Sequence, residues 1–141
     1  MSWVRIPPVA LSYDSWRFSL NTGLGPGTFV PKITPKGPDP AKVASNVYKK
    51  IFENQLIRVF EVRFKPGDKA EMHWHPNHFA YILDGGSLEI TPPKGEVMKM
   101  AAKGGDVAWM DSGHHEAINK GRTDMRALVV EIKGSTKKLG K

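Results

Sequence analysis

The chain has 141 residues, enough for one domain with a proper hydrophobic core. It contains no cysteine, which excludes disulfide bonds and thiolate metal sites. The formal net charge of +7 lies at the two ends, because residues 1–50 carry +5 and residues 133–141 carry +4, whereas residues 51–132 carry −2. No basic folded face suited to nucleic acid is indicated, the amino end does not resemble a secretion signal, and we expect no apolar membrane span. We expect a cytoplasmic protein that binds neither nucleic acid nor membrane.

Residues 1–45 are predicted to form an irregular arm, since proline and glycine recur throughout them. The arm also contains four large aromatic residues, Trp3, Trp16, Phe18 and Phe29. A free linker would rarely keep these side chains, so we expect the arm to pack on the main body or on a partner subunit. At the other end, residues 134–141 are rich in lysine and are predicted to be a solvated, flexible tail.

Residues 46–133 consist of short apolar stretches separated by turn residues, a pattern typical of an all-β domain. The predicted strands cover residues 47–52, 56–64, 70–75, 78–84, 87–91, 96–101, 107–110, 115–119 and 126–132. Asp84-Gly85-Gly86-Ser87 is predicted to be a hairpin turn between two of them. Eight or nine short strands at regular spacing, without a long helix, indicate an antiparallel barrel or sandwich.

The five histidines fall into two clusters, His73, His75 and His78 in the first and His114 and His115 in the second. Residues i and i+2 of a strand share one face about 6.5–7 Å apart, so His73 and His75 can converge on one metal ion. Pro76 should break the strand and let His78 return on the inner face. One hairpin would then supply two ligands, and His115 would join them from a distant strand across the barrel. Because imidazole is the commonest metal ligand near neutral pH, the clusters predict a transition-metal site inside a β structure.

The first cluster resembles the first motif of the cupin superfamily of small β-barrels. That motif runs Gly, five residues, His-x-His, three or four residues, Glu, six residues, Gly. The matching residues are Gly67, His73, His75 and Gly85. The sequence departs from the motif at one position, where His78 replaces the Glu after a gap of only two residues.

The second cluster resembles the second cupin motif, which runs Gly, five residues, Pro-x-Gly, two residues, His, three residues, Asn. The matching residues are Gly105, Gly113, His115 and Asn119. Here Asp111 takes the place of the Pro, and one residue fewer separates Gly113 from His115. His115 is favoured over His114 as a ligand, because only His115 has the three-residue spacing to Asn119.

Residues 46–54 and 109–121 are also similar to the small single-domain bacterial cupins, a group that includes a protein linked to β-alanine breakdown. The resemblance covers residues 46–133 and implies an all-β, jelly-roll type cupin barrel that follows the irregular arm. It also implies four metal ligands, His73, His75, His78 and His115. We further expect a homodimer, in which such arms often exchange between subunits.

Several polar residues have two readings each. His78 is either a ligand or a residue of the pocket rim, and His114, on the opposite strand face, is either an exposed neighbour or a group that orients a ligand. Glu71 shares the parity of His73 and His75, so its carboxylate either orients a ligand or lies on the surface. Asn119 either lines the pocket or serves a turn.

A cationic residue beside the site would suit a substrate carboxylate. Arg58 and Arg63 have opposite parity in their strand, so only one of them can face the cavity. The sequence does not decide between them.

Three or four neutral imidazoles leave the charge of a divalent ion uncompensated, which favours an anionic co-ligand. Such sites suit iron, nickel, copper or zinc better than magnesium or calcium. By analogy with cupin dioxygenases that have three-histidine iron sites, we predict a dioxygenase-like enzyme that uses Fe(II) to act on a small anionic metabolite. Zn, Ni, Mn and Cu are the other candidate metals, and a lyase or isomerase is the next choice of reaction. The alternative is a non-catalytic metal- or small-molecule-binding cupin, such as a sensor or an accessory protein.

Overall fold

The computed structural model describes residues 35–137 and Leu139, which form nine strands and one short helix. These elements are α1 (Pro40–Val43), β1 (Tyr48–Glu53), β2 (Ile57–Phe64), β3 (Lys69–His75), β4 (His78–Asp84), β5 (Gly86–Thr91), β6 (Met98–Ala102), β7 (Val107–Met110), β8 (Gly113–Ile118) and β9 (Met125–Ile132). The predicted all-β fold is confirmed, with every predicted strand present. The aromatic residues of the predicted arm, Trp3, Trp16, Phe18 and Phe29, lie outside the described residues. The same is true of residues 138, 140 and 141 of the predicted tail.

The strands form because apolar residues alternate with polar ones at a period of two, which places one set of side chains on the core face. In β9 the buried set begins with Met125, Ala127 and Val129. In β2 it includes Phe60 and Phe64, and the two strands pair without interruption along their whole length. The inward rows of neighbouring strands therefore lie side by side and build one continuous core.

Two antiparallel sheets face each other. The first has the strand order β1-β2-β9-β4-β7 and the second has the order β3-β8-β5-β6. Strands β2, β3, β4 and β5 thus alternate between the sheets as the chain proceeds, as in a jelly-roll barrel. None of the helices in the described part of the chain is long and apolar enough to cross a membrane.

The predicted hairpin at Asp84–Ser87 is wrong, because β4 and β5 belong to different sheets. Both edges of β4 are already paired, one with β7 and the other with β9, so β5 cannot add to it. The chain instead turns a corner at Gly85 and passes close to the end of β6. A Cβ atom on Gly85 would lie only 2.6 Å from the carbonyl oxygen of Ala102, which explains the glycine.

The short helix α1 packs against β3 just before the barrel begins. Asp39 caps it, since the Asp39 carboxylate accepts a hydrogen bond from the amide of Ala41 at 3.0 Å, and Pro40 occupies the first turn, where its missing N–H is not needed. The backbone just before α1 is also fixed, because the carbonyl of Pro38 accepts a hydrogen bond from the amide of Trp74 at 2.9 Å. This end of the predicted arm therefore lies on the barrel.

Candidate metal centre

Strand β3 carries two histidines into the interior. His73 and His75 are both fully buried, while Trp74 between them points to the other side of the strand. His115 lies on β8 directly opposite His73 in the β3–β8 pair, and the centroids of their rings are 4.7 Å apart. The expectation that His115 reaches the site from across the barrel is therefore wrong. The pairing of β3 with β8, which the sequence does not reveal, makes these residues cross-strand neighbours.

His78 is the histidine that approaches from the opposite sheet. It opens β4 after the break at Pro76 and Asn77, and it is buried. The centroid of its ring lies 4.3 Å from that of His75 and 6.2 Å from that of His115. Since β3 and β4 are in different sheets, the expected ligand-bearing hairpin does not exist, and the histidines bridge the two sheets instead.

Three of these histidines form a group that can hold a divalent metal. His73, His75 and His115 each offer a ring nitrogen, and these nitrogens all lie within 4.8 Å of one another. A metal–imidazole bond is about 2.0–2.1 Å long, so nitrogens this close can serve one ion. His78 is adjacent to the group but is not one of its three members.

The hydrogen bonds of the rings set their tautomers. The Nδ1–H group of His75 donates to the Glu131 carboxylate at 2.6 Å, and that of His73 donates to the main-chain carbonyl of Glu71 at 2.5 Å. His78 donates from Nδ1 to the carbonyl of Pro76 at 2.8 Å. Each proton on Nδ1 leaves the lone pair on Nε2, the atom available to a metal.

Two of the Nε2 atoms are conspicuous because they have no partner. The Nε2 atoms of His73 and His75 are buried and make no hydrogen bond. An unpaired polar atom in the interior is costly, and such atoms usually have a partner. A bound cation would satisfy both at once, so the residues present fit a divalent metal ion.

The electrostatics of the cluster favour neutral imidazoles. Burial lowers the pKa of His78 to about 4 and, together with the neighbouring histidines, lowers the pKa of His115 to about 3. Burial and the adjacent histidines also hold the pKa of His75 well below its usual value, and burial lowers that of His73. Near pH 7 these rings are therefore unprotonated, and a metal can bind them without displacing protons.

Two residues of this site, Glu131 and Tyr48, were not predicted from the sequence. Glu131 continues the inward row of β9 and is 1% exposed, although it is an acid. The sequence did contain a sign of its role, since an acidic residue at this position continues a row of apolar residues that face the core. Tyr48 is buried with its ring 5.1 Å from that of His73, and burial raises the pKa of its phenol. The sequence offered no signal for this contact, which depends on the packing of β1.

Two candidate side chains, those of Glu71 and Arg58, are held by other residues of the protein. The carboxylate of Glu71 is exposed and lies 3.3 Å from Lys69, because a bulge between Ala70 and His73 changes the parity on which the expectation depended. Only the main-chain carbonyl of Glu71 contacts His73. Arg58 faces inward, but its guanidinium is engaged by Glu131 and Asp39, so it is not available to a substrate carboxylate.

Two other candidates have roles outside the cluster. Asn119 is buried and serves a turn, since its amide donates to the carbonyls of Phe64 and Thr123 and accepts from the amide of Gly121. His114 points away from the histidine cluster, and its Nε2 donates to the carbonyl of Lys36 at 3.0 Å.

His115 links the cluster to two cavities. One is a cavity of about 40 Å³ in the barrel interior, lined by core side chains, Tyr48 and His115. The other is an open cleft of about 310 Å³. Its lining residues are Ile90, Pro92, Met98, Trp109, Met110, Asp111, Gly113, His114 and His115, among which there is no lysine or arginine. A molecule in the cleft would therefore contact mainly apolar and aromatic side chains, together with Asp111, His114 and His115.

Comparison with known families agrees with this geometry. Residues 60–131 match the family model described as a cupin domain, and the chain belongs to the cupin family. A search of curated proteins gave no match. The similarity to the group linked to β-alanine breakdown stays a prediction.

Solved structures share the fold. A cupin domain from Bordetella pertussis is 23% identical with a TM-score of 0.55, and the alignment covers 77% of this chain and all of that one. An RmlC-like cupin family protein with a double-stranded β-helix fold from Methanocaldococcus jannaschii is 15% identical with a TM-score of 0.52, covering 62% of this chain and 79% of that one. A conserved protein with a double-stranded β-helix domain from Klebsiella pneumoniae is 22% identical with a TM-score of 0.52, covering 64% and 76%. At these identities the likeness concerns the fold alone.

Proposed function

We propose that this cupin is a metal-dependent, dioxygenase-like enzyme with Fe(II) as the favoured metal and a small anion as substrate. His73, His75 and His115 would hold the ion, with His78 as a fourth imidazole from the opposite sheet. The observation that carries the proposal is the pair of buried Nε2 atoms without hydrogen-bond partners, each on a ring whose Nδ1 proton is already committed. A binding site for a cation explains both atoms, whereas a purely structural role leaves them unpaired.

A bound Fe(II) ion would supply Lewis acidity and a meeting point for O2 and substrate. The protein would keep the imidazoles neutral through burial and aim their lone pairs through hydrogen bonds at Nδ1. It would also exclude bulk water, since His73, His75 and His78 are buried and only His115 borders the open cleft. Access would therefore be restricted to the side of His115.

The cleft suggests what kind of anion would fit. Its walls include Trp109, Met110, Ile90 and Asp111, and among the described residues no lysine or arginine lines it. With Arg58 already occupied by protein carboxylates, the negative group of the substrate would have to be neutralised at the metal centre. We propose a small carboxylate, thiolate or enolate whose remaining part is apolar.

A second candidate function is metal or small-molecule binding without turnover. It is favoured by the interior cavity of about 40 Å³, which leaves little space beside the histidines on the barrel side. In that case the open cleft would hold a ligand, and the protein would act as a sensor or an accessory protein. If the site held zinc or nickel, a lyase or isomerase reaction or a binding role would be favoured over the oxygenase.

Elemental analysis of protein purified without chelator or added metal tests the proposal. We expect about one equivalent of iron in the wild type and none in a His73→Ala/His115→Ala variant, because the variant removes two of the three grouped nitrogens. The single variant His78→Ala tests the fourth imidazole and should weaken retention if that ring is a ligand. Absence of metal from the wild type under both native and iron-supplemented expression would refute the metal site.

Oxygen consumption then separates enzyme from binding protein. The iron-loaded protein is assayed with thiol-bearing carboxylates and β-diketones, and the double variant serves as the blank. Substrate-dependent O2 uptake by the wild type alone supports the oxygenase. Tight binding of these compounds without O2 uptake or any product would support the non-catalytic function.

A further inference from the structure

A chain of ionic contacts leads from buried His75 away from the metal centre towards the surface. Glu131 accepts a hydrogen bond from Nδ1 of His75 at 2.6 Å through one oxygen and from Nε of Arg58 at 2.7 Å through the other. The terminal nitrogen of Arg58 lies 3.1 Å from both carboxylate oxygens of Asp39. Asp39 is only partly buried and caps helix α1. The chain therefore connects an interior ligand to the segment that precedes the barrel.

Stability alone does not account for Glu131. It follows the apolar residues Met125, Ala127 and Val129 in the inward row of β9, where another hydrophobic side chain would fit the pattern. A buried ion pair is often no more stabilising than hydrophobic residues of similar volume. A carboxylate behind a metal-binding histidine has a different value, since it fixes the tautomer and the orientation of the ring.

The residues before α1 contact strands β3 and β8 from outside the barrel. We name residues 36–39 the strap. The carbonyl of Pro38 accepts from the amide of Trp74 on β3 at 2.9 Å, and the carbonyl of Lys36 accepts from Nε2 of His114 on β8 at 3.0 Å. Trp74 and His114 are directly paired across the two strands. The strap thus lies over the outer face of the strands whose inner faces carry the three grouped histidines.

Gly37 allows the strap to approach this closely. A Cβ atom at this position would overlap the ring of His114, with Cδ2 only 2.8 Å away, and would lie 3.0 Å from Cβ of Trp74. Contacts this short require the backbone or its neighbour to move. The substitution Gly37→Ala therefore perturbs the contact between the strap and β8 while leaving every side chain of the ionic chain chemically unchanged.

We propose that the strap is a positioning element of the metal centre. It holds β3 and β8 from outside and, through Asp39, Arg58 and Glu131, fixes the orientation of His75. The inference rests on the proposed metal site, and none of these residues is expected to touch substrate. The strap and the metal stabilise the same arrangement of His75. A docked strap must therefore raise the affinity for the metal, and a bound metal must equally stabilise the docking of the strap on β3 and β8.

Cobalt(II) titration of the metal-free full chain tests the first half of this coupling, with the visible absorption spectrum as the readout. Glu131→Gln should weaken cobalt affinity by about 10- to 100-fold and alter the spectrum, as loss of a partner behind a ligand usually does. Asp39→Asn keeps an oxygen to cap α1 but loses the charge facing Arg58, and we expect a loss of about fivefold or more. Asp124→Asn is the matched control, since it neutralises an exposed aspartate 2.6 Å from Arg63 of the same strand β2 and should change neither readout.

Hydrogen exchange tests the effect of the bound metal on the strap, and it needs no variant of the ionic chain. Zinc added to the metal-free wild type should slow exchange of the amide of Trp74, which donates to the strap. In Gly37→Ala the exchange of this amide should be faster, and cobalt affinity should fall in the same direction as in Asp39→Asn.

The outcomes separate the two proposals. Wild-type protein that binds neither cobalt nor zinc would overturn the metal site and the strap inference together. Normal cobalt affinity and an unchanged spectrum in Glu131→Gln and Asp39→Asn would overturn the strap inference alone and leave the metal site standing. If a variant of the ionic chain fails to fold, the zinc-dependent exchange of the Trp74 amide in the wild type decides, and equal exchange with and without zinc would overturn the inference.

Discussion

Lowering the pH should destabilise the metal-free protein through its buried histidines. The pKa of His78 falls from 6.5 to about 4 on folding, chiefly because burial disfavours the charged ring. Between these two values the unfolded chain carries a proton that the folded chain does not, so stability is complete above pH 6.5 and is lost as the pH falls towards 4. Each pH unit in this interval costs about 1.4 kcal/mol, and therefore His78 alone costs about 2 kcal/mol by pH 5.

His115 acts in the same direction, since its pKa is lowered to about 3. The stability that His115 costs by pH 5 is at most about equal to that of His78, and screening by solvent in the cleft reduces it. The two together amount to about 3–4 kcal/mol, a large part of the 5–15 kcal/mol that stabilises a typical domain. Glu131 opposes this trend, because burial raises the pKa of its carboxyl despite the hydrogen bond from Arg58.

The assay is urea unfolding of chelator-treated protein at pH 7, 6 and 5, followed by circular dichroism. The variant His78→Gln serves as the reference, since it keeps Glu131 and every other titrating group but lacks this imidazole. The difference between pH 7 and pH 5 should be about 2 kcal/mol smaller in the variant than in the wild type. Equal differences in the two proteins would refute the reasoning, because His78 would then be protonated as readily in the folded state as in the unfolded one.

Three further predictions concern the corner, the buried amide and the metal. Gly85→Ala should cost about 1–3 kcal/mol in urea unfolding because its methyl group would meet the carbonyl of Ala102, and Gly113→Ala, with no atom within 4 Å of the added carbon, should cost clearly less. Equal losses would contradict the steric explanation. Asn119→Ala should cost about 1–3 kcal/mol by the same assay, since buried main-chain groups lose their partners, and a loss within error of zero would show that water replaces the amide. Zinc at 1,000 times its dissociation constant should stabilise the wild type by about 4 kcal/mol in thermal unfolding, and an equal gain in His73→Ala would place the ion elsewhere.

Strands such as β2 and β9 were predictable because one face of each is more buried than the other. The alternation in residues 56–64 and 126–132 is enough to mark β2 and β9, and the cupin-like spacing of the histidines marks the site. The hairpin at Asp84–Ser87 was wrong because alternation reports which side of a strand is buried and contains no information on which strand pairs with it. Turn residues such as Gly85 suit a sheet-changing corner as well as a hairpin.

The candidate site was predictable in its members but not in its arrangement. Clustering identified the histidines, yet the placement of His115 beside His73 depends on the β3–β8 register. Glu71 lies on the surface, which is one of its two predicted alternatives, but its assumed parity with His73 fails because of a bulge in β3, and bulges leave little trace in a sequence. Glu131 and Arg58 lie 73 positions apart and become neighbours only through the β2–β9 ladder.

The position of β3 in its sheet has a consequence for solubility. Within the described residues β3 is an edge strand, and an open edge is a template on which another chain can add a strand and aggregate. The carbonyl of Pro38 already occupies the amide of Trp74 on that edge. A shortened protein that began at residue 46, where the alternating pattern starts, would lose Pro38 and leave the amide of Trp74, which lies between two buried histidines, without this partner. The residues before the barrel thus cover part of an edge strand that could otherwise pair with a strand of a neighbouring molecule.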